Sequence, residues 1–206
     1  ASDGTNNVDQ AVAISVTDVN DNSPVFTSGT TASVVEGTLI AYDADATDAD
    51  VSDTIAYSPS GIDAALFNID SSTGVVTFKV APDFELPTDT GGDNVYDFTV
   101  TASDGTHSTD RTVAVTVTNG NENAPVFTSP TTASVAENGT AAYTAVATDI
   151  DLDPITYSIA GGSDAALFTI NASTGAVVFV TAPDHEAPAD AGGDNVYDII
   201  VRASDG

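Results

Sequence analysis

An acidic, amide-rich segment occurs twice in the chain, and the distance between its copies sets the size of the folding unit. Thr-Asp-Val-Asn-Asp-Asn-Ser-Pro-Val-Phe (17–26) returns as Thr-Asn-Gly-Asn-Glu-Asn-Ala-Pro-Val-Phe (118–127), which carries Pro24 onto Pro125, an offset of 101 residues. The same offset carries Glu36 to Glu137, Asp48 to Asp149, Asp50 to Asp151, Asp83 to Asp184, Glu85 to Glu186 and Asp104 to Asp205, and it predicts a repeat without gaps. Ala-Ser-Asp-Gly stands at 1–4, 102–105 and 203–206. A period this long is a whole domain and not a solenoid turn. The repeated groups are carboxylates and amides, oxygen donors of the kind a hard cation such as calcium takes.

The 206 residues suit two domains. Strict apolar alternation marks strands. Val12, Ile14 and Val16 alternate with small and polar residues, as do their counterparts Val113, Val115 and Val117. Tyr96, Phe98, Val100 and Ala102 do the same, with Tyr197, Ile199, Val201 and Ala203 as copies. Shorter strands are expected at 31–35, 38–44, 54–58, 66–70 and 75–80, with copies 101 residues on. Ser-Ser-Thr-Gly (71–74) reads as a hairpin turn with Gly74 at positive φ. Short strands at this density, with no helical period, predict an all-β fold: tandem Ig-like, Greek-key β-sandwiches of about seven strands in an elongated array.

Net charge is −28, with Lys79, Arg111 and Arg202 as the three cations. A surface this anionic repels phosphate backbones and anionic lipid, which excludes nucleic-acid binding. It is either kept solvated by self-repulsion or neutralised by bound cations. There is no cysteine, hence no disulfide or thiolate site. No apolar run approaches 18 residues, so no membrane insertion is expected. The chain begins and ends on the same motif and reads as a piece of a longer array.

The frame that follows is residues 1–19 as the last strand and linker start of a preceding repeat, 20–119 as one repeat, and 120–206 as a second lacking its last strand. A permuted frame, 1–101 and 102–203, needs residues near Thr17 and Val25 to span a domain of roughly 40 Å, and seven or so residues reach at most about 25 Å. The open-ended frame leaves an orphan strand at one end and an empty sheet edge at the other. Two readings stand: segment 8–17 completes the second domain of a neighbouring molecule, or it is a frayed terminus.

The motifs resemble the cadherin family. Val-Thr-Asp-Val-Asn-Asp-Asn-Ser-Pro-Val-Phe is similar to the linker between cadherin repeats. Glu36 and Glu137 resemble the glutamate near the start of a repeat, Asp-Ala-Asp (48–50) and Asp-Ile-Asp (149–151) its Asp-x-Asp, and Asp-Phe-Glu (83–85) and Asp-His-Glu (184–186) its Asp-x-Glu. Ala-Ser-Asp-Gly (102–105) resembles the segment with its last calcium aspartate. Gly-Gly-Asp-Asn-Val-Tyr-Asp (91–97 and 192–198) and the absence of cysteine are similar to bacterial cadherin-like repeats of large surface adhesins.

The resemblance implies calcium between domains. At the central junction it implies Glu36, Asp83 and Glu85 from the first repeat. Asn119, Gly120, Asn121, Glu122 and Asn123 come from the linker, and Asp149, Asp151 and Asp205 from the second repeat. Upstream it implies Asp18, Asn20, Asp21, Asn22, Asp48, Asp50 and Asp104; at the far end, Glu137, Asp184 and Glu186. Asn119 and Glu122 replace aspartates of the family pattern, which predicts weaker affinity. It implies an extracellular module, on a bacterial cell surface or secreted, whose partners are neighbouring repeats, a second copy by strand exchange, or a polysaccharide.

Other chemistry is thin. Asp83 and Glu85 as a glycosidase pair explain less than a ligand cage does, and no nucleophile motif surrounds His107 or His185. His185 stands where the first repeat has Phe84, which predicts a partly buried ring. Asp89, Asp93 and Asn94, with Asp190, Asp194 and Asn195, read as a polar loop or an extra cation site. The tyrosines are expected in cores and corners. The absence of tryptophan counts against a carbohydrate platform.

Overall fold

The computed structural model describes every residue except Ser2, Asp3 and Ser52, so the first Ala-Ser-Asp-Gly copy lies partly outside the described residues. The chain divides into two units, Ala1–Thr118 and Asn119–Gly206. In unit 1 the strands are β1 (Val25–Phe26), β2 (Thr31–Val35), β3 (Ile40–Asp43), β4 (Ala46–Thr47), β5 (Ala56–Ser60), β6 (Phe67–Ile69), β7 (Val75–Phe78), β8 (Val95–Ser103) and β9 (Ser108–Thr118). Seven of them form two sheets, β2-β9-β8-β5 and β3-β7-β6, and β1 pairs with β4 as a short third element. β2 runs parallel to β9, with Thr31 opposite Ala114 and Val35 opposite Thr118; the other pairs are antiparallel.

Alternation builds the core. On β8, Tyr96, Phe98, Val100 and Ala102 point inward, and on β9, Val113, Val115 and Val117 do; all are essentially inaccessible. Phe67 of β6 lies 4.5 Å from Phe98 and 4.8 Å from Phe78, so aromatic rings from both sheets interlock. The 71–74 hairpin is present. The Asp70 carboxylate accepts the Ser72 and Thr73 amides, and Gly74 has φ +81°. Gly74 is required on a second count, because a Cβ there would sit 2.0 Å from the Ala44 carbonyl oxygen.

Unit 2 repeats this plan with β10 (Val126–Phe127), β11 (Ala141–Thr144), β12 (Ala147–Thr148), β13 (Thr156–Gly161), β14 (Phe168–Ile170), β15 (Ala176–Phe179) and β16 (Ile200–Ser204). Its sheets are β11-β15-β14, β13-β16 and β10-β12. Three sequence expectations fail here for one reason. Residues 132–136, the copy of β2, form no strand, and the strand expected from Tyr197 begins only at Ile200. Segment 12–17 in unit 1 is likewise outside any sheet, with Val12, Ile14 and Val16 exposed. In unit 1 both β2 and the first half of β8 are held by β9. Unit 2 has no counterpart of β9 among its described residues, and segment 8–17 has no sheet to join. A strand without a neighbour leaves its amides to water. The consequence is a smaller core: Phe168, Val177 and Phe179 are buried, whereas Tyr197, Ile199 and Val201 are half-buried where Tyr96, Phe98 and Val100 are sealed.

The gapless repeat also needs correction. Tyr57 and Tyr157 are structural copies: each hydroxyl accepts the amide of the residue that starts the β4 or β12 pair, Ala46 or Ala147, and each tyrosine pairs with Ala102 or Ala203. Their offset is 100. The second repeat is one residue short before β13 and regains it through a register shift between Ile159 and Gly161. A bulge absorbs one extra residue without disturbing the strand beyond it, so the offset of 101 resumes.

Candidate metal centre

The acidic residues of each unit divide their oxygens between holding loops and facing a shared space. In unit 1, Asp50 Oδ2 accepts the Asp21 and Asn22 amides at 3.0 and 2.8 Å, and Oδ1 accepts Asn22 Nδ2 at 2.8 Å. Asn22, first through its backbone amide and then its side chain, holds the Asp50 carboxyl below the usual range. This fastens segment 20–22 to the sandwich. Asp48 Oδ1 accepts the Asp50 amide, and Asp104 Oδ1 accepts the Thr106 and His107 amides across the β8–β9 turn. The His107 amide foremost, against burial, holds Asp104 low. His107 Nδ1 in turn meets Asn20 Oδ1 at 3.0 Å.

The other oxygens have no such use. Asp48 Oδ2, Asp53 Oδ2 and Asp104 Oδ2 are buried and lack any hydrogen-bond partner. Asp53 was not anticipated. Burial first, then the charges of Asp50, Asp104, Asp18 and Asp48, push its carboxyl above the ordinary value. Five carboxylates therefore share one neighbourhood. Lys79 is engaged by the Ala65 carbonyl and Arg111 by that of Ser28; His107 Nδ1 stands 3.7 Å from Asp104 Oδ2 and is charged only when protonated.

Unit 2 repeats the device with its own residues. Asp151 Oδ2 accepts the Glu122 and Asn123 amides and Oδ1 accepts Asn123 Nδ2 at 2.7 Å, while Asn119 Nδ2 donates to the Asp151 carbonyl at 2.6 Å. Burial works to raise the Asp151 carboxyl, and the Asn123 and Glu122 donors outweigh it. Asp149 Oδ1 accepts the Asp151 amide, and its Oδ2 is buried without a partner. Asp205 is half-buried at the end of β16, where Asn121 approaches the following Gly206.

A second kind of group occupies the other end of each sandwich. Glu36, Asp83 and Glu85 bring carboxylate oxygens within 4.8 Å of one another, and so do Glu137, Asp184 and Glu186. Glu36 also accepts the Phe84 amide at 2.7 Å, and its own amide donates to Thr118 O, which places this group where β9 ends. Glu137 accepts the His185 amide in the same way. His185 is exposed, not partly buried, because the corner that Phe84 helps fill in unit 1 is open in unit 2.

The 89–94 loop is closed by its own hydrogen bonds. Asp89 accepts the Asp93 and Asn94 amides, and Asn94 Nδ2 donates to the Phe84 carbonyl; Asp190, Asp194 and Asn195 repeat the arrangement. Asp63 and Asp164, nearly inaccessible, are equally structural: each carboxylate accepts one backbone amide from that loop and one from the segment after it, Asp97 or Asp198. For Asp63, burial is outweighed by Thr90 and Asp97, leaving the carboxyl low.

The residues fit a hard dication. A buried carboxylate oxygen without a donor is costly, and four are present at Asp48, Asp53, Asp104 and Asp149. The donors are carboxylate, amide and carbonyl oxygens, the set from which calcium draws six to eight ligands.

No protein-family model matches the chain. Cadherin-23 of Rattus norvegicus is 32% identical over 216 residues, covering 96% of this chain and 6% of that protein. Protocadherin-11 X-linked of Homo sapiens is 32% identical over 212 residues, covering 94% of this chain and 15% of that protein. The chain thus spans a small part of the relatives it matches. Among solved structures, mouse Cadherin-23 EC22-24 superposes with a TM-score of 0.63 at 25% identity, over 89% of this chain and 65% of that one. With the repeated acidic motifs and sandwiches matched along nearly the whole sequence, the chain belongs to the cadherin family.

Proposed function

We propose that the chain is a calcium-binding repeat module of an extracellular adhesin, in which ions at the boundary between units stiffen the array for cell adhesion. The Gly-Gly-Asp-Asn loops favour a bacterial surface protein as its parent. The observation that carries the reading is the set of buried oxygens without a hydrogen-bond donor on Asp48, Asp53, Asp104 and Asp149. The likeness of residues 118–127 to the linker between cadherin repeats supports a site at the boundary between units. Calcium there would supply positive charge and draw its ligands from these oxygens. Asp50 and Asp151 each hold the linker amides ahead of their own unit, and Asp48 and Asp104 upstream, like Asp149 at the central linker, each keep one buried oxygen without a hydrogen-bond donor. Without neutralisation these carboxylates repel one another.

The test is a calorimetric calcium titration paired with thermal melts in calcium and in chelator. Two or more ions per chain and a clear rise in melting temperature are expected. Asp104→Asn and Asp149→Asn should each lose calcium-dependent stabilisation. Asp53→Asn should also melt higher than the parent in chelator, because burial and the neighbouring charges already oppose its ionisation. No binding at millimolar calcium would refute the reading.

A further inference from the structure

Asn-Gly occurs twice in the chain, at 119–120 and 138–139. An asparagine before a glycine carries its own chemistry, because the glycine nitrogen can close a five-membered ring onto the side-chain amide carbon and no Cβ hinders its approach. Asn119 is exposed and follows Thr118 directly, outside any strand. It stands at the repeat position of Asp18, and the pairs Thr17 and Thr118, Asn20 and Asn121, and Asn22 and Asn123 keep the register on both sides. Asn138 is exposed too, but its copy in unit 1 is Gly37, so a charge there would match nothing in unit 1.

The two copies do different work. The Asp18 carboxylate acts on the acidic group of unit 1, where its charge is among those that raise Asp53. Asn119 brings no charge to unit 2. It donates Nδ2 to the Asp151 carbonyl at 2.6 Å, on the same residue whose carboxylate accepts the Glu122 and Asn123 amides. Asp151 is almost wholly buried, so this tie is anchored on a fixed point of unit 2.

We propose that Asn119 is a self-modification site, converted without an enzyme to an aspartyl residue that gives unit 2 the charge Asp18 supplies ahead of unit 1. The Gly120 nitrogen attacks Asn119 Cγ. The new N–C bond displaces Nδ2, which leaves as ammonia with the proton that Gly120 gives up. Water then opens the succinimide, at Cγ to give aspartate or at the backbone carbonyl to give isoaspartate. Water is the only co-reactant, no electrons are transferred, and either product carries one more negative charge. Ring closure draws the Asn119 side chain onto its own backbone, so it must first leave the Asp151 carbonyl, and the rate reports the opening of that tie. Afterwards the donor is gone. Two oxygens then face each other where a hydrogen bond stood, which is unfavourable unless a cation bridges them. Calcium accepts carboxylate and carbonyl oxygens alike. The modification thus exchanges a hydrogen bond for a ligand, a last step that rests on the calcium reading proposed above.

The test is peptide mapping by mass spectrometry of the 206-residue chain, held in chelator at mildly alkaline pH and physiological temperature, with isoaspartyl methyltransferase labelling as a second readout. A gain of about one dalton and a methyl label at 119–120 are expected. Gly120→Ala should slow the gain on the order of tenfold, since a Cβ hinders ring closure. Asn119→Gln, which would need a six-membered ring, should abolish it. Asn119→Asp stands for the finished product, and in chelator its unit 2 should melt below the parent's because the donor to Asp151 is lost. An unmodified Asn119, or modification of Asn138 alone, would overturn the inference. So would an Asn119→Asp chain whose unit 2 melts like the parent's in chelator. Calcium separates this inference from the reading it rests on: it should restore the Asn119→Asp melt to the parent's or above. If Asn119 is modified and calcium restores nothing, the calcium site fails and the modification stands.

Discussion

Val115 provides the sharpest test of which segment completes unit 1. Its side chain is inaccessible, opposite Tyr96 on β8 and Ala32 on β2. Val115→Ala removes two methylene equivalents, about 1.6 kcal/mol by transfer. The cavity left between two sheets that cannot close independently raises the cost to about 2–3 kcal/mol. For a unit of this size each kcal/mol moves the midpoint by about 4–8 °C, so the unit 1 transition should fall by on the order of 10 °C. Ile14→Ala is the matched control. It occupies the same repeat position but is exposed in the single chain, so it should leave both melts unchanged in dilute protein. The assay is circular dichroism melting in chelator at low concentration, with hydrogen exchange to assign each transition to its unit. If Val115→Ala melts like the parent while Ile14→Ala loses stability, segment 8–17 completes unit 1 and the assignment of β9 is wrong.

Two further predictions concern turns. Gly74→Ala and Gly175→Ala place a Cβ 2.0 and 2.1 Å from the Ala44 and Ala145 carbonyl oxygens at φ +81° and +69°. The left-handed backbone costs about 1–2 kcal/mol and the enforced backbone shift more, so each should selectively destabilise its own unit, read by denaturant midpoint. Hydrogen bonds from Ser72, side chain first and then backbone, with Thr73, hold the Asp70 carboxyl at about 2. A depressed carboxyl stabilises the folded state above its ordinary value of 3.8 and loses that contribution as pH falls through about 2. An NMR titration should find that midpoint. Asp70→Asn should remove the pH dependence while keeping the turn, because Asn171 already accepts the same two amides in unit 2.

The elements legible in the sequence are those whose pattern is local. Alternation located β8 and β9, residues 31–35 coincide with β2, and Gly74 marked the β6–β7 hairpin. What escaped is non-local. Whether residues 132–136 become a strand depends on a neighbour some eighty positions away in the unit 1 pattern, and no local propensity reports that. β1 and β4 are two residues each, too short to show a period. The slip at Tyr157 was hidden because one missing residue is restored within ten positions, so motifs on both sides keep the offset of 101. The same slip concealed Asp53, whose counterpart is Asp153 and not the residue 101 positions on. Among the acids, Asp63 and Asp164 look no different in sequence from Asp48, yet their carboxylates are spent on backbone amides. Donor type was readable, and donor availability was not.

The parallel pairing of β2 with β9 has a mechanical consequence. Tension that enters unit 1 ahead of Val25 and leaves after Thr118 pulls β2 and β9 in opposite senses along their own axes. Five residue pairs from Thr31–Ala114 to Val35–Thr118 then carry the load together in shear, whereas an antiparallel hairpin pulled from its open end gives way one bond at a time. Unit 1 thus contains a clamp that resists tension applied through its own two chain ends.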